Sequence, residues 1–120
     1  MTAPLRDASW STCFICGDPG SGMGWKPKEP WTARHKWLCD DGRCLFIAPE
    51  VYKMPSREMR IHAQEALEIG GQEAGKYLET IGKTDLADLT REEWLEFLDR
   101  FLKARADAIR RLAATYCPPF

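Results

Sequence analysis

Cys13-Phe14-Ile15-Cys16-Gly17 and Cys39-Asp40-Asp41-Gly42-Arg43-Cys44 are two close cysteine pairs separated by 22 residues. Each pair can chelate from one tight turn, and the segment between them is long enough to fold both turns onto one ion. That is the ligand spacing of a tetrahedral structural zinc site. Gly17 strengthens the reading, because glycine after the second thiolate lets the chain turn so that backbone amides point at sulfur. Four unliganded cysteines packed as small hydrophobes are the bland alternative. A redox pair at Cys13 and Cys16 is another, but no βαβ pattern surrounds it. His35, four residues before Cys39, could replace a thiolate, yet four cysteines already complete the set. The expected ligands are therefore Cys13, Cys16, Cys39 and Cys44, holding one structural Zn2+.

Between the pairs the chain is rich in glycine, proline and tryptophan, which excludes a helix there. A hairpin is expected over roughly 22–38, with Gly22-Met23-Gly24-Trp25 and His35-Lys36-Trp37-Leu38 as its arms. Asp40-Asp41-Gly42 makes a turn that sets Cys44 near a helix start. Leu45-Phe46-Ile47-Ala48 could open a short helix, which Pro49 limits unless it falls in the first turn. Knuckle, hairpin and helix together predict a treble-clef-like module over 13–54, preceded by a loose leader at 1–12.

Residues 55–120 read as a helical hairpin. Pro55-Ser56 is a start signal, and apolar or small residues at 59, 63, 66, 67, 70, 74, 77, 78 and 81 recur at helical spacing, giving a helix over about 56–81 that Gly82 stops. Thr90 and Glu93 form a capping box, with Leu89 and Trp94 placed for a hydrophobic staple. Trp94, Leu98, Phe101, Leu102, Ile109 and Leu112 make one stripe of a helix over about 91–114, ended by Pro118 and Pro119. Leu86 and Leu89 are expected to pin the loop between the helices, where Asp85 and Asp88 could instead meet a partner. Gly70 and Gly71 sit inside a helix, where each costs ~1 kcal/mol relative to alanine. Close approach of the second helix or the zinc module would explain them; a partner groove or a kink are alternatives. The fold class is small α+β.

Composition bounds the function. With 44% hydrophobic and 29% charged residues the chain is globular rather than disordered, and no apolar run nears the ~20 residues that span a bilayer. Met1–Trp10 lacks the apolar core of a secretory signal, so a reducing, cytoplasmic setting is expected and disulfides are not. Cys117 is the odd cysteine. Residues 1–57 carry 8 Lys+Arg against 6 Asp+Glu, whereas 58–120 carry 9 against 12. The halves therefore differ in the partners they suit.

On Cys13-Phe14-Ile15-Cys16-Gly17, Trp37-Leu38-Cys39-Asp40-Asp41 with Cys44, Tyr52-Lys53-Met54, and the block from Gly70 to Leu78 through Ile81-Gly82-Lys83-Thr84-Asp85-Leu86-Ala87 to Glu93-Trp94, the chain resembles a family of small uncharacterised proteins of phages and alphaproteobacteria. The resemblance implies a zinc-binding N-terminus and a phage or prophage context in a bacterial cell, with no established activity. Pro49 departs from its pattern where a continuous helix is implied.

Residues 25–37 interleave aromatic and basic groups. Trp25, Lys26, Lys28, Trp31, Arg34 and Lys36 could grip nucleic acid, cations neutralising phosphates while indole faces stack on bases. Tryptophans covering the metal site, with lysine stems laid over them, are the packing alternative. A closed set of four ligands leaves no position for a catalytic water, and the two histidines form no HExxH pattern, so an enzyme is not expected. The competing functional reading is a protein-binding module, an adaptor or inhibitor of a host system, in which zinc only holds a surface in place. The acidic face of Glu92, Glu93, Glu96 and Asp99 could serve it, and the helices offer a surface for self-association.

Overall fold

The computed structural model describes residues 12–115. All of the expected leader except Thr12 lies outside the described residues, as do Cys117, Pro118 and Pro119. The rest is α+β: strands β1 (Met23–Trp25) and β2 (Lys36–Leu38), then helices α1 (Gly42–Lys53), α2 (Ser56–Ile81) and α3 (Arg91–Ala114), with a 3-10 turn at Leu86–Asp88 between the last two. No helix among the described residues is long and apolar enough to cross a membrane.

The strands pair antiparallel, Met23 opposite Leu38, Gly24 opposite Trp37 and Trp25 opposite Lys36. Gly24 makes room for this pairing, since a Cβ there would lie 3.1 Å from both the Trp37 ring and His35. α1 corrects the expectation that Pro49 limits the helix. Asp41 caps it by accepting from the Arg43 amide at 2.9 Å, so the helix begins before Cys44 and Pro49 falls in its interior. The proline removes one hydrogen bond to the carbonyl of Leu45. Leu45 is exposed, so the missing bond falls on the solvent side of the helix.

Contacts between α2 and α3 run in opposite order along the two helices. Gly70 lies against Phe101 and Arg105, Tyr77 against Arg100, and Lys83 against Glu93, so the helices are antiparallel. Gly82, at φ +70°, ends α2, with the Lys83 amide donating back to the Leu78 carbonyl. Thr90 Oγ1 accepts from the Glu93 amide at 3.2 Å while Glu93 Oε1 accepts from the Thr90 amide at 2.9 Å, completing the capping box.

Four apolar expectations are overturned. Leu67, Leu86, Trp94 and Leu102 are exposed, Leu67 and Leu102 by about half. α2 offers small residues, Ala66, Gly70 and Ala74, to its neighbour, which makes a narrow seam with no room for a full leucine stripe. Trp94 stacks on Phe97 of its own helix instead. The loop is held by polar contacts: Asp85 accepts from the Ala87 amide, and Lys83 Nζ donates to the Asp88 carbonyl at 3.1 Å and Glu93 at 2.5 Å.

α3 buries its C-terminal half instead, through Ala106, Ile109, Arg110 and Ala113 at i, i+3, i+4 and i+7. These residues join one core with the four cysteines, Ile15, Leu38, and Ile47, Ala48 and Val51 of α1. The seam between helices thus opens, at one end, directly onto the cysteine cluster.

Candidate metal centre

The four cysteines converge. Cys13 and Cys16 sit on a turn closed by the Gly17 amide donating to the Cys13 carbonyl at 3.1 Å, with Gly17 at φ +81°. The Phe14 amide donates to the Trp37 carbonyl at 2.9 Å, which ties this turn to β2. Cys39 follows β2 directly, and Cys44 is the third residue of α1. All four are buried, and their sulfurs lie within 4.8 Å of one another, a set that could hold a metal ion. The Cys16 and Cys39 sulfurs are 3.7 Å apart. Four sulfurs bonded at ~2.3 Å to a central ion define a tetrahedron with edges of about 3.8 Å, so the residues fit a thiolate-preferring divalent ion. His35 is exposed on the hairpin and lies outside the cluster.

Donors surround the sulfurs. The Asp18 amide points at Cys16 Sγ at 3.4 Å, as the glycine turn requires. Arg110 Nε donates to Cys44 Sγ at 3.2 Å, reaching in from α3. Its Nη1 donates to Asp107 at 2.8 Å, and its Nη2 donates to Asp18 at 3.2 Å and lies 3.5 Å from Asp41. Arg105 adds a backbone contact, donating to the Cys16 carbonyl at 3.1 Å and packing on Gly17.

The charges respond to this crowding. Hydrogen bonds from Cys16 and then Cys44 hold the Cys13 thiol well below its ordinary value. Cys13 in turn raises Cys16, and pushes Cys44 up to about 12, with burial acting in the same direction on both. Burial opposes the charge on Arg110, but the hydrogen bond to Cys44 and the negative charges of Cys16, Cys44 and Asp41 outweigh it, and the guanidinium is held more firmly protonated than usual. Arg43 beside Asp41 holds that carboxyl well below the usual carboxylate range.

The residues singled out on the hairpin separate into two groups. Trp25 and Lys36 belong to an aromatic cluster: the Trp25 ring meets Tyr52 of α1 edge-on at 5.6 Å, and Lys36 Nζ lies 4.8 Å from the Tyr52 ring and 5.5 Å from that of Phe14. Tyr52 also donates to the Arg34 carbonyl at 3.0 Å, fastening the hairpin to α1. Trp31, by contrast, is 81% exposed, and Lys26 Nζ donates to its carbonyl at 3.0 Å. The Lys28 and Arg34 side chains are exposed and form no ion pair with any described residue.

Sequence reasoning missed Arg110, Arg105 and Tyr52. For Arg110 a signal existed. It occupies a buried phase of the α3 period, between Ala106 and Ala113, where a charge is out of place unless something pairs with it.

A model describing a family of unknown function (DUF6511) matches residues 59–120, which span nearly all of α2 and the whole of α3 but none of the four cysteines. No curated protein and no solved structure matches the chain.

Proposed function

This chain belongs to a family of unknown function (DUF6511), and from that premise we propose that it is a small zinc protein whose hairpin binds nucleic acid. The single observation that carries the nucleic-acid reading is the exposed indole of Trp31 in a loop whose cations Lys26, Lys28 and Arg34 form no ion pair among the described residues. Elsewhere the chain neutralises many of its own charges. Lys76 pairs with Glu73, Lys83 with Glu93, Arg100 with Glu96, and Lys103 with Asp99. A loop that leaves its cations unpaired beside an open aromatic face suits a polyanion with exposed bases, the cations taking phosphates and the indole stacking.

Zinc is the ion that the four-sulfur set suits best, and its part is structural. It fixes a treble-clef-like arrangement in which the knuckle at Cys13–Gly17, the hairpin and the start of α1 are each held by a ligand. Four thiolates close the tetrahedron, so the protein works by binding rather than catalysis. Cysteines that hold a metal rather than disulfides suit a reducing cytoplasm, and a phage or prophage setting follows from the resemblance described above.

A second reading has its own support. Trp94, Leu95 and Leu102 leave apolar surface open on α3, which a protein partner or a second copy of the chain could cover. Titration of labelled single- and double-stranded DNA and RNA, at low and moderate salt, separates the two. Saturable, salt-sensitive binding that Trp31→Ala weakens supports the hairpin reading. No saturable binding at low salt to any of the four leaves the protein-binding reading standing.

A further inference from the structure

We propose that Arg110 is the positioning residue of the metal centre, and that its hydrogen bond to Cys44 Sγ makes metal binding and the docking of α3 a single coupled event. The inference rests on the zinc reading above. Four thiolates around a divalent ion leave a net charge of about −2 in the core. A buried charge is stable only when it is paired and hydrogen-bonded. Arg110, 7% exposed, is the one cation among the described residues that donates to a cysteine sulfur, and its other hydrogen bonds hold it in that placement. Nε meets Cys44, Nη1 meets Asp107, and Nη2 meets Asp18, whose own amide donates to Cys16 Sγ. The fork is planar, so one placement of it serves Cys44, Asp107 and Asp18 together and ties α3 to the cluster.

The coupling runs both ways. A sulfur that accepts from Arg110 is a better-oriented ligand, and a cluster held by the ion is a better-fixed acceptor for Arg110. Arg105 supports the cluster in a different way. It comes from the same helix and reaches the same turn, but its partner is the Cys16 carbonyl and not a sulfur.

The test uses the full chain, with zinc affinity measured by chelator competition, cobalt as a spectroscopic probe, and amide hydrogen exchange with and without metal. Arg110→Met keeps the stem and removes the donor. It is expected to weaken zinc binding by roughly 10–100-fold and to shift the thiolate-to-cobalt charge-transfer band. Arg110→Lys, which restores charge without the fork, should recover part of the affinity, and Lys103→Met, at an exposed cation of the same helix paired with Asp99, should leave the cobalt band in place. In the unaltered chain, stripping the metal should expose amides of residues 106–114 while those of 91–100 stay protected; this arm decides the matter should Arg110→Met fail to fold. Wild-type affinity with an unshifted band in Arg110→Met, or unchanged protection of 106–114 on metal removal, overturns the coupling and leaves the zinc reading intact. A wild-type chain that binds neither zinc nor cobalt overturns both.

Discussion

Arg110 Nε lies 3.2 Å from Cys44 Sγ, across 66 residues of sequence. The contact joins the helix that closes the described chain to the ligand that opens α1. It also explains why a 12-residue helix with a proline in its interior survives, since α1 is pressed between the cysteine cluster and α3 within one core. A metal-holding segment and a helical hairpin that look separable along the sequence share that core.

The capping box gives the most local prediction. Thr90→Ala removes the acceptor for the Glu93 amide and should destabilise the protein by ~1 kcal/mol in chemical denaturation, with metal content unchanged. Loss of metal in this variant would mean that the start of α3 bears on the cysteine cluster, which its distance along the helix from Arg110 argues against.

Three glycines of α2 should respond differently to alanine. At Gly70 an added Cβ meets the Phe101 carbonyl oxygen at 2.9 Å and Arg105 Cβ at 3.1 Å, so the helices must part. A net loss on the order of 1 kcal/mol is expected, overpacking outweighing the gain in helix propensity. Gly71 and Gly75 have nothing within 4 Å of the same position, and alanine there should stabilise by about 0.5–1 kcal/mol. Equal effects at all three positions in urea denaturation would show that the seam is not where Gly70 places it.

Local chemistry was legible in the sequence, and long-range chemistry was not. The cysteine turns, the arms of the hairpin, the stop at Gly82 and the cap at Thr90 depend on residues within a few positions of each other, so spacing alone exposes them. Arg110 shows locally only its pairing with Asp107 and its place on the buried phase of α3, because its other partners Cys44, Asp18 and Asp41 are distant in sequence. Periodicity also misled on α3. Large residues such as Trp94 and Leu102 define the apparent stripe, whereas the face actually buried keeps only Ile109 of that stripe and is otherwise built from alanines and an arginine. Pro49 was read by its propensity, which the cap at Asp41 and tertiary packing override.

Metal affinity should rise with pH. Without metal, Cys44 is pushed up to about 12 and Cys16 is raised above its ordinary value, so both hold protons in the neutral range that the ion must displace. A raised pKa means protons bound below it, so lowering the pH favours the metal-free form, up to tenfold per unit for each proton released. Calorimetry in buffers of different ionisation enthalpy should record at least two protons released per ion. A pH-independent affinity across the neutral range would contradict this.

The hairpin should divide into gripping and fastening residues. If nucleic acid binds there, Lys28→Ala and Arg34→Ala should each flatten the dependence of log affinity on log salt by roughly 0.7–0.9 per lost phosphate contact. Trp31→Ala should weaken binding by ~1–3 kcal/mol with little change in that slope. Lys36→Ala should also lower thermal stability, because its ammonium lies over the Tyr52 and Phe14 rings. Identical slopes for wild type and the Lys28 and Arg34 variants would remove those two side chains from the interface.

The most direct test of the account is the metal itself, measured by elemental analysis of the full chain purified under reducing conditions without added metal. The account predicts about one zinc per chain in the wild type and none retained in Cys39→Ser, since three sulfurs and a hydroxyl no longer match the set that closes the tetrahedron. A folded wild-type protein free of zinc, with the four thiols titrating as ordinary buried cysteines, would contradict it.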